Sequence, residues 1–139
     1  MIAYVDTSII LNFLLKQSHS LIRWQDWSQV YANEIGRLEA LRTIDRIRLM
    51  GKLSDEGVSI AIETFNNAWA RIGEIPLTKT ILKRAELPLP TVVRTLDAIH
   101  LISAYLWQEE FQKEIVFLTH DVQLGHAARA LGLKTLGFE

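Results

Sequence analysis

Four acidic residues have the placement to gather charge in one site: Asp6, Glu39, Asp97 and Asp121. Asp6 ends the apolar run Ile2-Ala3-Tyr4-Val5 and is followed by the hydroxyl pair Thr7-Ser8. Asp121 follows the run Ile115-Val116-Phe117-Leu118 after Thr119-His120. Glu39 and Asp97 each adjoin an apolar helical stripe. Carboxylates that share a cavity repel, and burying them unpaired is costly, so a divalent cation is their natural neutraliser. Oxygen-only ligands favour a hard ion such as Mg2+, with Mn2+ as a substitute. An ion of this kind activates water and stabilises charge on a phosphate, chemistry that suits phosphodiester hydrolysis.

Such convergence needs a particular scaffold. Residues 2–8 read as strand, loop and helix start, which puts Asp6 at the carboxyl end of a strand, where open parallel sheets bind ligands. Thr7 or Ser8 is expected to cap the apolar helix that runs to Leu15. His19 to Ser28 predicts a second helix whose Trp24 and Trp27 pack, and Gln29 to Ala32 a short strand. Asn33 reads as the N-cap of a long helix to about Met50, with Glu34 in its first turn. Ile35, Leu38, Leu41, Ile44 or Ile47, and Leu49 form its apolar stripe, Glu39 lies beside it, and arginines fill the remainder.

Gly51 closes that helix. Ser54 opens a partner running to about Arg71, with Ile60, Ile62, Phe65, Ala68 and Trp69 for packing. A strand at Ile72–Leu77 is broken near its end by Pro76, and Thr78 caps a short helix to Glu86. From Thr95 the apolar positions Leu96, Ile99, Leu106 and Trp107, with His100, Ser103 and Ala104 among them, predict a helix with Asp97 in its first turn. Ile115–Leu118 is the clearest central strand. A helix through Ala127 and Leu131, and a last strand at 133–136, complete the pattern. Alternating strands and helices predict an α/β fold: a parallel sheet of about five strands between helical layers, with both strand-end acids on one edge.

The 139 residues are 49% hydrophobic, enough for one domain and a sizeable core. The formal charge of −1 sets no global preference for a polyanion, though a basic face can stand beside an acidic pocket. Without cysteine there is neither a disulfide framework nor a thiolate zinc site. No basic leader precedes Asp6, and no apolar run reaches the roughly 20 residues of a membrane span. A cytoplasmic protein with no membrane partner is the expectation.

Val5-Asp6-Thr7-Ser8, the stretch from Arg37 to Arg42, Arg94-Thr95-Leu96-Asp97-Ala98-Ile99-His100-Leu101, Leu118-Thr119-His120-Asp121 and the closing Ala127–Leu133 stretch occur in this order across the chain. Together they resemble the successive motifs of PIN-domain ribonucleases of the VapC toxin type. The resemblance implies a metal-dependent endoribonuclease with a three-layer α/β/α fold, a homodimer, an RNA substrate and a cognate antitoxin. It assigns the acid roles to Asp6, Glu39, Asp97 and Asp121, with Asp6, Asp97 and Asp121 on the metal and Thr119 and Ser8 in support. His120 and Gln123 depart from the residues common in relatives, and Ser103 replaces the usual alanine.

Each acid also has a plain structural reading. Asp6 and Asp97 suit helix starts, Asp121 suits a cap, and Glu39 could pair with Arg42 or Thr43 while Glu34 or Asp45 entered the pocket instead. His100, three residues after Asp97, reads as a packed histidine rather than a ligand. His19, His120 and His126 read as surface residues, with His120 near the pocket mouth. Arg37, Arg42, Arg46 and Arg94 are candidates for phosphate contacts. The rivals are a phosphotransfer domain and a non-catalytic RNA- or protein-binding module of the same fold, with a DNA-cutting relative also open. A phosphotransfer domain lacks support, because Ser8 stands where a haloacid-dehalogenase-type phosphatase needs a second acid.

Overall fold

A computed structural model describes residues 1–15 and 23–139. Among these residues five strands, β1 (Ile2–Val5), β2 (Gln29–Asn33), β3 (Ile72–Ile75), β4 (Ile115–Leu118) and β5 (Lys134–Leu136), form one sheet in the order β3-β2-β1-β4-β5. Every pairing is parallel. β3 ends just before Pro76, whose missing N–H cannot extend a ladder. Among the described residues, six α-helices cover the sheet: α1 (Thr7–Leu14), α2 (Ile35–Leu49), α3 (Asp55–Trp69), α4 (Lys79–Ala85), α5 (Thr95–Phe111) and α6 (Val122–Ala130). None of the described helices is long and apolar enough to cross a membrane.

Successive strand residues face opposite sides, and each side has its own core. Ala3, Val5, Val30, Ala32, Val116 and Leu118 pack against α1, α2 and α3 through Ile9, Ile10, Ile44, Phe65 and Trp69. Tyr4, Ile115 and Phe117 pack against α5 and α6 through Leu101, Trp107, Leu124 and Ala128. Ile81 seats α4 on α5 beside Ile99 and Ile102. α1 therefore leaves β1 toward one face and α6 leaves β4 toward the other. Between these adjacent strands opens the crevice in which a parallel sheet places its ligand.

Several helix faces differ from the sequence reading. The buried stripe of α2 is Gly36, Ala40 and Ile44, whereas Leu38 and Leu49 are 60% and 69% exposed. Small residues win because α2 lies close over the site: a Cβ on Gly36 would stand 3.6–3.7 Å from Trp69, His100 and Thr7. In α3 the inward residues are Ala61, Phe65, Ala68 and Trp69, and Ile60 and Ile62 face outward. Leu96 is likewise exposed on the first turn of α5.

The aromatic segment before β2 is not a regular helix where it is described: Trp24–Asp26 is a single 3-10 turn. The rest of that expected helix, including His19, lies outside the described residues. Trp24 and Trp27 are half-buried against the α1 layer, as packing residues.

At the far end, Phe138 is buried over Gly125 of α6, with the Arg129 guanidinium 4.5 Å above its ring and the His126 ring edge-on. A Cβ on Gly125 would fall 2.3 Å from that ring, so the two residues fit only because one lacks a side chain.

Candidate active site

The carboxyl ends of β1 and β4 are tied together where Asp6 N–H donates to Leu118 O. Asp6 is 3% exposed and carries the densest set of donors in the site. Its Oδ1 accepts from Ser8 Oγ at 2.6 Å and from Ile9 N at 3.2 Å, and its Oδ2 accepts from Thr119 Oγ1 at 2.5 Å. Asp6 itself, rather than Thr7 or Ser8, is thus the N-cap of α1. The hydroxyls are spent elsewhere: Ser8 and Thr119 hold the Asp6 carboxylate, and Thr7 reaches Glu39. Burial pushes the Asp6 carboxyl up, against the opposing pull of the Ser8 and Thr119 hydrogen bonds.

Asp97 lies in the first turn of α5 and is partly exposed. Its carboxyl is raised from its ordinary 3.8, first by burial and then by the negative charges of Asp121 and Asp6, with a smaller contribution from Glu39. Asp97 thus lies within reach of the charges of Asp121, Asp6 and Glu39. Asp121 caps α6, its Oδ1 accepting from Leu124 N at 3.0 Å, so its structural role coexists with its place beside Asp97.

Glu39 is turned inward by α2. Its Oε1 accepts from Thr7 Oγ1 at 2.8 Å and lies 2.6 Å from His100 Nε2. Burial raises this carboxyl, but the His100 hydrogen bond and charge together with the Thr7 bond outweigh it and hold the group below its ordinary 4.5. Neither alternative acid reaches the site: Glu34 accepts from Leu77 N, and Asp45 pairs with Arg48 at 2.8 Å and Arg42 at 3.8 Å on the outer face. Asn33 closes β2, and its Oδ1 caps the Ile35 N–H.

The histidines and arginines divide. His100 is packed, 1% exposed. His126 is a surface residue, but His120 is not: its Nδ1 bonds Gly137 O at 2.9 Å and its Nε2 is buried. Arg37 lies over the Phe65 ring and donates to Asn66 Oδ1, so much of its guanidinium is engaged. Arg42, Arg46 and Arg94 are exposed.

No three acidic or histidine side chains among the described residues close into a ready-made metal cage. The donor set still fits a hard divalent ion, because Mg2+ is commonly held by one or two carboxylates and keeps several waters. A carboxylate has about four acceptor positions, and Asp6 spends three of them on protein donors.

No family model matches this chain. Ribonuclease VapC47 of Mycobacterium tuberculosis (strain CDC 1551 / Oshkosh) is 27% identical over 133 residues, covering 95% of this chain and 93% of the relative. The chain is a distant homologue of that ribonuclease over nearly its whole length. Its five-stranded parallel sheet is consistent with a PIN fold. The VapC-type motifs fall at the end of β1, in α2, at the start of α5 and after β4. Tyr4 and Thr7 are the partners that sequence reasoning missed as parts of the site. Thr7, next to a strand-end acid, was visible as a hydroxyl, but its bond to a residue 32 positions away was not.

Proposed function

We propose that this chain is a metal-dependent endoribonuclease that hydrolyses phosphodiester bonds of single-stranded or looped RNA, as the toxin of a toxin–antitoxin pair. The observation that carries the reading is that Asp97 feels the negative charges of both Asp121 and Asp6 at the β1–β4 crevice, in a homologue of a VapC ribonuclease. Mg2+, or Mn2+ in its place, would be held by Asp6, Asp97 and Asp121. When bound, such an ion supplies an acidified water and a positive charge beside the phosphate.

The chain's own residues do the rest. Ser8, Thr119 and the Ile9 N–H fix the Asp6 carboxylate in one orientation. Glu39 stays ionised and, with Oε1 anchored, can accept a hydrogen bond from water through Oε2. Arg94 at the start of α5 and Arg46 on α2 are exposed cations suited to phosphates of a bound strand. The cognate antitoxin, a homodimeric assembly and a cytoplasmic setting are proposed from the family resemblance.

Labelled RNAs and DNAs incubated with antitoxin-free protein, with Mg2+, Mn2+ or chelator, test the reading. RNA cuts that need metal and vanish in Asp97→Asn are expected. DNA-only cutting would move the assignment to a DNA nuclease, and folded, metal-loaded protein that cuts nothing while retaining RNA would make it a binding module.

A further inference from the structure

A buried polar chain runs from the sheet to the rim of the crevice. The Asn33 N–H, at the end of β2, donates to Tyr4 Oη at 3.0 Å. Tyr4 Oη lies 2.7 Å from His100 Nδ1, and His100 Nε2 lies 2.6 Å from Glu39 Oε1. Each link is positioned independently. The Tyr4 ring stacks on Phe117 at 5.4 Å and meets the His100 ring edge-on. Asn33 Nδ2 donates to Ser103 Oγ, which donates to Ile99 O on the helix that carries His100. At Gly36 α2 lies close to this ring, a Cβ there standing 3.7 Å from His100 Cε1.

Packing alone does not explain the chain. Tyr4 and His100 are 0% and 1% exposed, a place where apolar side chains would fill the space without desolvating any polar atom. The chain ends on a carboxylate whose side chain is 22% exposed, whereas Asn33, Tyr4 and His100 are buried. With an acceptor-only carboxylate at one end, Nε2 is the nitrogen that must carry a hydrogen. In the neutral ring, the Tyr4 O–H donated to Nδ1 enforces the same tautomer. Two donors, His100 Nε2 and Thr7 Oγ1, converge on the single atom Oε1, while Oε2 takes no hydrogen bond among the described residues.

We propose that Tyr4 and His100 are positioning residues that lock Glu39 in one rotamer, with Oε1 tethered and Oε2 presented to the crevice. The role rests on the nuclease reading above. A flexible glutamate is thereby ordered before substrate arrives, which lowers the cost of reaching a productive geometry.

Cleavage kinetics and a spectrum test this separately. His100→Ala is expected to lower kcat by roughly tenfold or more, and Tyr4→Phe by about threefold, each with KM little changed. In a Glu39→Gln background both losses should shrink to less than about twofold, because the tethered group is already gone. Equal losses in the two backgrounds would overturn the proposal. In 15N-ring-labelled full-length protein, the His100 Nε2–H resonance should be downfield and slow to exchange, and should move upfield in Glu39→Gln. A ring proton that exchanges like that of a free imidazole would overturn it without any reference to activity. Should the wild type cut no RNA, the nuclease reading fails and the spectrum still decides whether the tether exists.

Discussion

Asp6 and Asp97 are two carboxylates of one crevice, both with raised proton affinity, and for different reasons. Asp6 is buried and held: three donors fix it and offset part of the cost of its burial. Asp97 is half open and uncompensated; after burial, the largest forces on it are the like charges of Asp121 and Asp6. One acid is part of the frame, and the other is poised for a positive charge from outside. A site divided this way keeps its geometry without a cation and reserves its attraction for one.

Neutralising either acid separates the two roles. Asp6→Asn and Asp97→Asn should each reduce cleavage by two orders of magnitude or more, roughly, measured with excess Mg2+. Stability should diverge: Asp6→Asn leaves a buried amide among donors and is expected to cost about 1–3 kcal/mol in denaturant unfolding, whereas Asp97→Asn relieves repulsion and should unfold no more easily than wild type. Next in size is metal linkage. Saturating Mg2+ at about 100 times its Kd should raise stability by about 2.7 kcal/mol, and most of that gain should vanish in Asp97→Asn; an equal gain in both proteins would show that the ion binds elsewhere.

Acid titration of metal-free protein comes next, with opposite signs for two groups. Asp97 binds its proton more tightly folded than unfolded, so its contribution is fully present below its ordinary 3.8 and is lost as pH rises through its folded value. Glu39 binds its proton less tightly when folded, so its contribution is present above 4.5 and is lost as pH falls through its lowered value. Stability curves of Asp97→Asn and Glu39→Gln should therefore depart from wild type in opposite directions. The smallest effect is Gly36→Ala, whose added carbon meets only ordinary contacts; it should be neutral or stabilise α2 by up to about 1 kcal/mol.

Much of this frame was legible along the chain. β1 and β4 are apolar runs that stop at polar turns, and the acids at both stops lie close enough to Asp97 for their charges to raise its proton affinity. Local periodicity misled where tertiary closeness overrode it: α2 buries Gly36 and Ala40 and leaves Leu38 outside, because only small residues let that helix lie on Thr7 and His100. The N-cap of α1 went to Asp6 because the hydroxyls beside it bond other groups: Thr7 donates to Glu39, and Ser8 donates to the Asp6 carboxylate and accepts from the His120 N–H. The bond between Tyr4 and His100 spans 96 positions. Tyr4 lies within an otherwise apolar strand, and nothing local distinguishes it from another packing aromatic.

The close seat of Phe138 on Gly125 carries a consequence for how this chain can evolve. Any side chain at position 125 collides with the ring, and the same carboxyl-terminal stretch, through Gly137 O, holds His120 in the turn between Thr119 and Asp121. Positions 125 and 138 should therefore change together across divergent sequences, a bulkier residue at one accompanied by loss of the aromatic at the other. Such paired drift would leave its record on the helix and carboxyl-terminal stretch that brace the turn of the fourth acid.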